Sequence, residues 1–388
     1  MQSTSIRMQQ LGTYFFAELD ARIKSLQAND ADIIRLDVGS PDLMPPPLAI
    51  ETLRERAGDA NAHRYQPHNG TVSLREAWAN YYQNCFQLEF DPEMQILPLM
   101  GSKEGIFNLI QAFVDPGDVV LIPDPGYPAY TRGTRFAGGE PCFLPLLPEN
   151  DFRFDLNGIP AEVARRAKLL WLNYPNNPTG GTASLDFFEE VIAFAHEYEF
   201  LVCHDAAYAQ VSYDGVFPPS ILQVPGAEEV AVEFNSLSKT FHMAGWRTGA
   251  LVGNQDAIQT LSRLKTNVDS GHFRPILEAA AACLEELDKE WIAERNAILQ
   301  RRRDVVVDGL ENLGIPVQSP QGALYIWCPV PPGQRSGAFV LRLLEEAHVS
   351  FAPGTVFGAQ GEGYMRISLT ASEEQLHEAI DRMGKIYI

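Results

Sequence analysis

Four near-continuous apolar runs constrain this chain more than any other feature: Val119-Val120-Leu121-Ile122, Leu169-Leu170-Trp171-Leu172, Phe200-Leu201-Val202-Cys203 and Val230-Ala231-Val232-Glu233-Phe234. A strand with one wet face alternates apolar and polar residues, whereas a strand covered on both faces is apolar throughout. The segments between the runs carry helical spacing instead. Ile106, Ile110, Phe113 and Val114 form one stripe over residues 103–114, and Leu185, Phe188, Ile192 and Ala195 form another over 184–198. From about residue 95 to 255 the pattern therefore predicts an α/β unit, a mostly parallel sheet with helices on both faces.

Each run ends in a polar cluster: Asp124-Pro125-Gly126-Tyr127, Asn173-Tyr174-Pro175-Asn176-Asn177-Pro178, His204-Asp205-Ala206-Ala207-Tyr208 and Asn235-Ser236-Leu237-Ser238-Lys239. Open α/β sheets bind ligands beyond the carboxyl ends of their strands, so these four loops are expected to meet at one crevice. After about residue 275 the pattern changes to one long charged helix over 277–313, a strand over 323–327 and a helix from Ser372. At 388 residues the chain exceeds what one core organises, roughly 250–300 residues. The expected division is a large domain, 45–275, and a smaller α+β domain, 1–44 with 276–388, closing over the crevice. The stiff Pro45-Pro46-Pro47 marks the first boundary.

Composition removes several function classes. A net charge of −20 opposes nucleic-acid binding, which needs basic surface. Five singly scattered cysteines suggest neither a disulfide framework nor a metal pair, and no metal site is expected. The first residues lack the apolar stretch of a secretory signal and no run is long enough for a membrane span, so a cytoplasmic address is expected, with no membrane partner.

The chemistry concentrates around Lys239. An amine at the end of a buried strand is desolvated, which lowers its pKa and makes it a nucleophile. Gly101-Ser102-Lys103-Glu104-Gly105 opens the helix over 103–114, and backbone N–H groups at a helix start bind phosphate. Ser236, Ser238 and Arg247 add hydroxyls and a guanidinium. Asp205 ends an apolar strand where an unpaired charge is costly, so it needs a cation. The protonated ring nitrogen of pyridoxal 5'-phosphate (PLP) would serve. His204 beside it reads as a packing residue, and Glu285, Glu286, Asp288 and Glu290 as a solvated helix face.

The combined pattern resembles class I/II aminotransferases of PLP fold type I. It is carried by Asp37-Val38-Gly39-Ser40-Pro41, by Tyr65 in Arg64-Tyr65-Gln66-Pro67, by the clusters above, by Arg247 and by Tyr364-Met365-Arg366-Ile367-Ser368. The resemblance implies that Lys239 bonds the cofactor and shuttles the proton, that Asp205 holds the ring nitrogen, and that Asn177 and Tyr208 hold the phenolic oxygen. Tyr127 would stack on the ring. Ser102, Lys103, Ser236, Ser238 and Arg247 would take the phosphate, with Tyr65 reaching the cofactor of a neighbouring subunit, which implies a homodimer. Arg366 would grip the substrate α-carboxylate, a task suited to a bidentate fork, with Gly39 closing over it.

The implied reaction is ping-pong transfer of an amino group from an L-amino acid to a 2-oxo acid, 2-oxoglutarate being the expected acceptor. A carbon–sulfur β-lyase on the same fold would carry nearly the same residues. Several stretches resemble LL-diaminopimelate aminotransferases in particular, where Lys103, Tyr127, Asn267 and Tyr14 match positions near the distal end of the substrate. One departure stands out: Gln66-Pro67-His68-Asn69-Gly70 has no acidic residue where those enzymes meet the distal ammonium. Alanine, aspartate, glutamate and aromatic donors therefore stay open.

Overall fold

The computed structural model describes residues 4–10 and 15–387. A short strand, β1 (Ile34–Arg35), precedes a seven-stranded sheet made of β2 (Ile96–Leu99), β3 (Val119–Asp124), β4 (Glu140–Pro145), β5 (Ala167–Leu172), β6 (Leu201–Asp205), β7 (Ala231–Ser236) and β8 (Gly249–Gly253). The strand order is β2-β8-β7-β6-β5-β3-β4. Pairing is parallel from β4 across to β7, and β8 is antiparallel to both β7 and β2. The four apolar runs are β3, β5, β6 and β7, side by side in the sheet interior.

Successive strand residues point to opposite faces, and this alternation builds two cores. Val119, Leu121, Leu170, Leu172 and Val202 face a core shared with the helices Val72–Phe86 and Leu185–Tyr198. Val120, Ile122, Leu169, Trp171 and Cys203 face the opposite core, closed by the helices Ser102–Phe113, Pro128–Ala137 and Gln255–Val268. Both helical stripes read from the sequence face these cores, with Phe113 and Leu185 partly buried and the other six residues buried. Ser184 caps the second of those helices, accepting from Phe187 N at 3.3 Å.

The expected single helix over 277–313 is two helices, Arg274–Glu286 and Lys289–Asn312. Leu287 breaks them apart in a left-handed conformation, φ 36°. Asp288 starts the second by accepting from Trp291 N at 2.9 Å, so a residue read as exposed charge is a helix cap. The first helix packs on Pro47–Arg56 and Val72–Phe86. The second crosses between cores: Ile292 belongs to the sheet core, and Leu299, Val306, Val307 and Leu310 to a separate cluster. That cluster also holds residues of β9 (Tyr325–Pro329), β10 (Val349–Ser350), β12 (Tyr364–Ser368) and the helix Glu373–Tyr387, while Ala352 of β11 (Ala352–Pro353) belongs to the sheet core. The strand begins at Tyr325 rather than 323, because Ala323 bends the chain with φ 63°. Three strands form a sheet in the order β11-β12-β9, and β1 pairs with β10.

The inner strands are tied by a polar hub. Glu233 on β7 is fully buried and accepts from Tyr82 Oη (2.8 Å), His204 Nδ1 (2.9 Å), Ser220 Oγ (2.9 Å) and Ile221 N (3.2 Å). His204 is thus a buried structural partner, packed as the sequence suggests. Removing one member of such a set leaves buried donors unpaired, which costs about 3–5 kcal/mol. Glu233→Ala should lose stability of that order in urea unfolding, and an unchanged midpoint would show that the hub contributes little.

Candidate active site

β3 sends its connection outward to β4 and the chain then returns to β5 on its other side, so the loops after β3 and β5 diverge and leave a crevice at the carboxyl ends. A cavity of about 470 Å³ opens there. It is lined by Gly39, Ser102, Lys103, Tyr127, Asn177, Asp205, Tyr208, Ser236, Ser238, Lys239, Arg247 and Arg366. Twelve side-by-side expectations therefore meet in one place, drawn from five sheet strands, an N-terminal segment and the small sheet. Two others do not. Tyr65 is 92 % exposed and off the crevice of its own chain. Asn267 is exposed at the end of the helix Gln255–Val268, where it donates to Arg263 O at 3.0 Å, so the expectation that it reaches a substrate does not hold within one chain. Tyr14 lies outside the described residues.

At the floor, Asp205 ends β6 and is 5 % exposed. Its Oδ2 accepts from Tyr130 Oη at 2.7 Å, and Tyr130 is held in place by stacking on Trp171 at 4.7 Å. Its Oδ1 is buried and takes no hydrogen bond. Burial pushes this carboxyl up to about 6, against the pull of Tyr130 and His204. A buried acceptor aimed into a cavity without a partner fits a cationic group in the cavity.

Lys239 follows β7 in the short helix Leu237–Thr240, and its Nζ donates to the carbonyl of Gly39. Burial holds the amine below the ordinary lysine value, and Arg366 and Arg247 add to this, while Tyr325 opposes it. Arg295, 2 % exposed, secures the backbone behind it by donating to the carbonyls of Lys239 (2.7 Å) and Thr240 (2.9 Å).

At one end, the helix Ser102–Phe113 begins in the cavity lining beside Ser236, Ser238 and Arg247, so its first-turn N–H groups lie at the cavity wall. Gly101 has φ 78°, and a Cβ on it would sit 2.4 Å from the Arg247 guanidinium. The arrangement is an anion cradle: helix start, hydroxyls and a guanidinium that pairs with no carboxylate among the described residues. A PLP molecule, with a phosphate at one end and a protonatable ring nitrogen at the other, matches the cradle and the unpartnered Asp205 oxygen.

Above the floor, Arg366 on β12 is 4 % exposed. It donates to Asn177 Oδ1 (2.9 Å) and to the Asp37 carbonyl (2.6 Å), and stacks over Tyr325 at 4.1 Å and Phe357 at 4.8 Å. The sequence assigns no role to Tyr325 or Tyr130, nor to Asp37 and Asn173, although the last two open stretches quoted above. Asn173 was visible as the first polar residue after β5, and it orients two site loops by donating to Asp205 O (2.6 Å) and accepting from Asn177 N (2.7 Å). Tyr325 carried no signal, since any strand residue of the small sheet looked the same. It shares a 2.8 Å hydrogen bond with Tyr208. Burial raises the Tyr208 hydroxyl well above its usual value; burial acts on Tyr325 too, but Arg366 and Lys239 outweigh it and hold that hydroxyl low. Gly39 touches Tyr325 so closely that a Cβ would fall 1.9 Å from its hydroxyl.

The raised Asp205 carboxyl carries a stability consequence for the cofactor-free protein. Its folded value, about 6, exceeds the ordinary 3.8, so its contribution is intact below pH 4 and lost as pH rises through 6. Asp205→Asn should therefore stabilise the cofactor-free protein by about 1–3 kcal/mol at pH 8. Thermal unfolding should show that gap closing towards pH 4; a gap independent of pH would contradict the burial argument.

Comparison with known proteins agrees with this geometry. The family model "Aminotransferase class I and II" matches residues 31–383. LL-diaminopimelate aminotransferase 2 of Trichormus variabilis is 48 % identical over 378 residues, covering 97 % of each chain. LL-diaminopimelate aminotransferase of Moorella thermoacetica is 45 % identical, covering 98 % of this chain and 97 % of the relative. Among solved structures, substrate-bound BacF from Bacillus subtilis superposes with a TM-score of 0.96 at 35 % identity, covering 100 % of this chain and 98 % of that one. A Thermus thermophilus aspartate aminotransferase double mutant gives 0.92 at 29 % identity with full coverage of both. The comparisons support amino transfer and not the lyase alternative. The chain belongs to the class I and II aminotransferases, enzymes that work with pyridoxal phosphate.

Proposed function

We propose that this aminotransferase takes the amino group of LL-diaminopimelate and passes it to 2-oxoglutarate. The donor rests on the names of relatives that match along 97 % of the chain. The site rests on one observation above all: the unpartnered, buried Asp205 Oδ1 opens into the same cavity as Lys239 and Arg366.

Bound PLP supplies an electrophilic carbon that accepts an amino group and a conjugated ring that stores the electron pair left when a C–H bond breaks. The residues do the rest. Ser102, Lys103, Ser236, Ser238 and Arg247 hold the phosphate, Asp205 keeps the ring nitrogen protonated, Tyr127 covers a ring face, and Asn177 and Tyr208 hold the phenolic oxygen. Arg366 receives the donor α-carboxylate on its fork and Gly39 lets the chain close over it. That fixes the α-carbon. Lys239 Nζ, whose pKa burial holds below the ordinary lysine value, would take the α-proton and carry it to the cofactor.

The proposed working unit is a cytoplasmic homodimer in which Tyr65, exposed on its own chain, completes the partner's phosphate site. No helix among the described residues is long and apolar enough to cross a membrane. We further propose that residues 45–275 form the large domain, and that 1–44 with 276–388 close over the cavity and exclude water. The ties Arg302 to Asp42 (2.8 Å, both nitrogens) and Ser368 N to Leu36 O (2.9 Å) favour the N-terminal segment moving with the small sheet.

The test is glutamate formation from 2-oxoglutarate with LL-diaminopimelate against alanine, aspartate, glutamate-free and aromatic donor sets. LL-diaminopimelate should give the highest kcat/KM, and no glutamate with it would overturn the donor. Arg366→Lys should lower kcat/KM by about 10- to 100-fold, mainly through KM, because an ammonium cannot make both bonds of the fork.

A further inference from the structure

The cavity mouth carries a charged group with no part in the steps above. The helix Phe15–Gln27 turns Phe16 and Asp20, four residues apart and so on one helix face, towards the cavity. Asp20 Oδ1 lies 2.7 Å from Arg35 Nη1, and the Asp20 side chain is 45 % exposed. Arg35 spends its other donors on Asp37, Nε to Oδ1 at 3.1 Å and Nη2 to Oδ2 at 2.7 Å. Two carboxylates share one guanidinium, so the cluster keeps one negative charge. Asp37 is fully buried and gripped by the fork. The uncompensated charge therefore lies on Asp20, whose Oδ2 takes no hydrogen bond among the described residues.

The position matters as much as the charge. The Asp37 carbonyl accepts from Arg366 Nη2 at 2.6 Å, so the residue that abuts the carboxylate anchor also holds, through Arg35, the group at the mouth. A donor anchored by its α-carboxylate on Arg366 extends its side chain from that anchor towards the opening. A partly desolvated carboxylate on that path favours a cation and repels an anion.

We propose that Asp20 recognises the far end of the amino donor and gives the enzyme its preference for a donor whose far end carries an ammonium group. The proposal rests on the amino-transfer reading and supplies from the N-terminal helix the carboxylate that Gln66-Pro67-His68-Asn69-Gly70 lacks. Arg35 fixes the direction of Asp20, so that the carboxylate is pre-oriented before the donor arrives.

Two matched donor pairs test it: LL-diaminopimelate against 2-aminopimelate, which lacks only the distal amine, and L-lysine against L-norleucine. Each is added to the PLP-loaded enzyme, and the single-turnover absorbance change gives rate and apparent affinity separately. Wild type should prefer the ammonium member of at least one pair, and Asp20→Asn should cut that preference by roughly 10-fold, through affinity, with Asp20→Glu retaining part of it. A preference unchanged in Asp20→Asn, or no preference in wild type for either pair, overturns the proposal. If LL-diaminopimelate fails as a donor while the lysine pair shows the Asp20-dependent preference, the proposal stands and the donor assignment above falls instead.

Discussion

Everything in the cavity is arranged around a carboxylate that the protein leaves half satisfied. Asp205 is buried at the end of β6, takes one hydrogen bond from Tyr130 and keeps its second oxygen open to the cavity. Such a group costs stability until a cation meets it. The sheet bears that cost because β6 lies between β5 and β7, and because the Glu233 hub beneath fixes the strand from behind. The same rigidity that makes the group expensive also makes it an accurate partner for a protonated ring nitrogen.

From that floor the other functions follow by position. Lys239 stands at the end of the neighbouring strand β7, close enough to share the cavity and buried, which holds its pKa below the ordinary lysine value. The anion cradle is built from the helix after β2, at the antiparallel edge of the sheet, whereas Asp205 stands on its parallel middle. Arg366 arrives on the middle strand of the three-stranded sheet, paired with Trp327 and stacked on Phe357 at the edge of the main-sheet core.

The parallel sheet was legible because its inner strands are wet on neither side, and the runs in β3, β5, β6 and β7 stand out against helical spacing. Edge and antiparallel strands were not: β4 is largely exposed and β2 and β8 are short, so their residues read as connections. The break at Leu287 escaped notice because the apolar spacing continues across it, and only the capping role of Asp288 reveals the start of a new helix. Site residues that sit just beyond a strand, such as Asp205 and Lys239, were visible from order alone. Tyr325 and Tyr130 were not, since their roles come from three-dimensional packing of segments distant in sequence. Asp20 shows the same limit: nothing in the sequence marks it, and only folding brings the helix Phe15–Gln27 to the cavity lining.

The account stands or falls on Lys239 being the residue that bonds the cofactor. Borohydride reduction of the PLP-loaded protein, followed by peptide mapping, fixes the attachment point chemically and independently of any donor. The account predicts one pyridoxyl label per chain, on Lys239, absent from Lys239→Ala. A label on another lysine, or no label at saturating PLP, would contradict it.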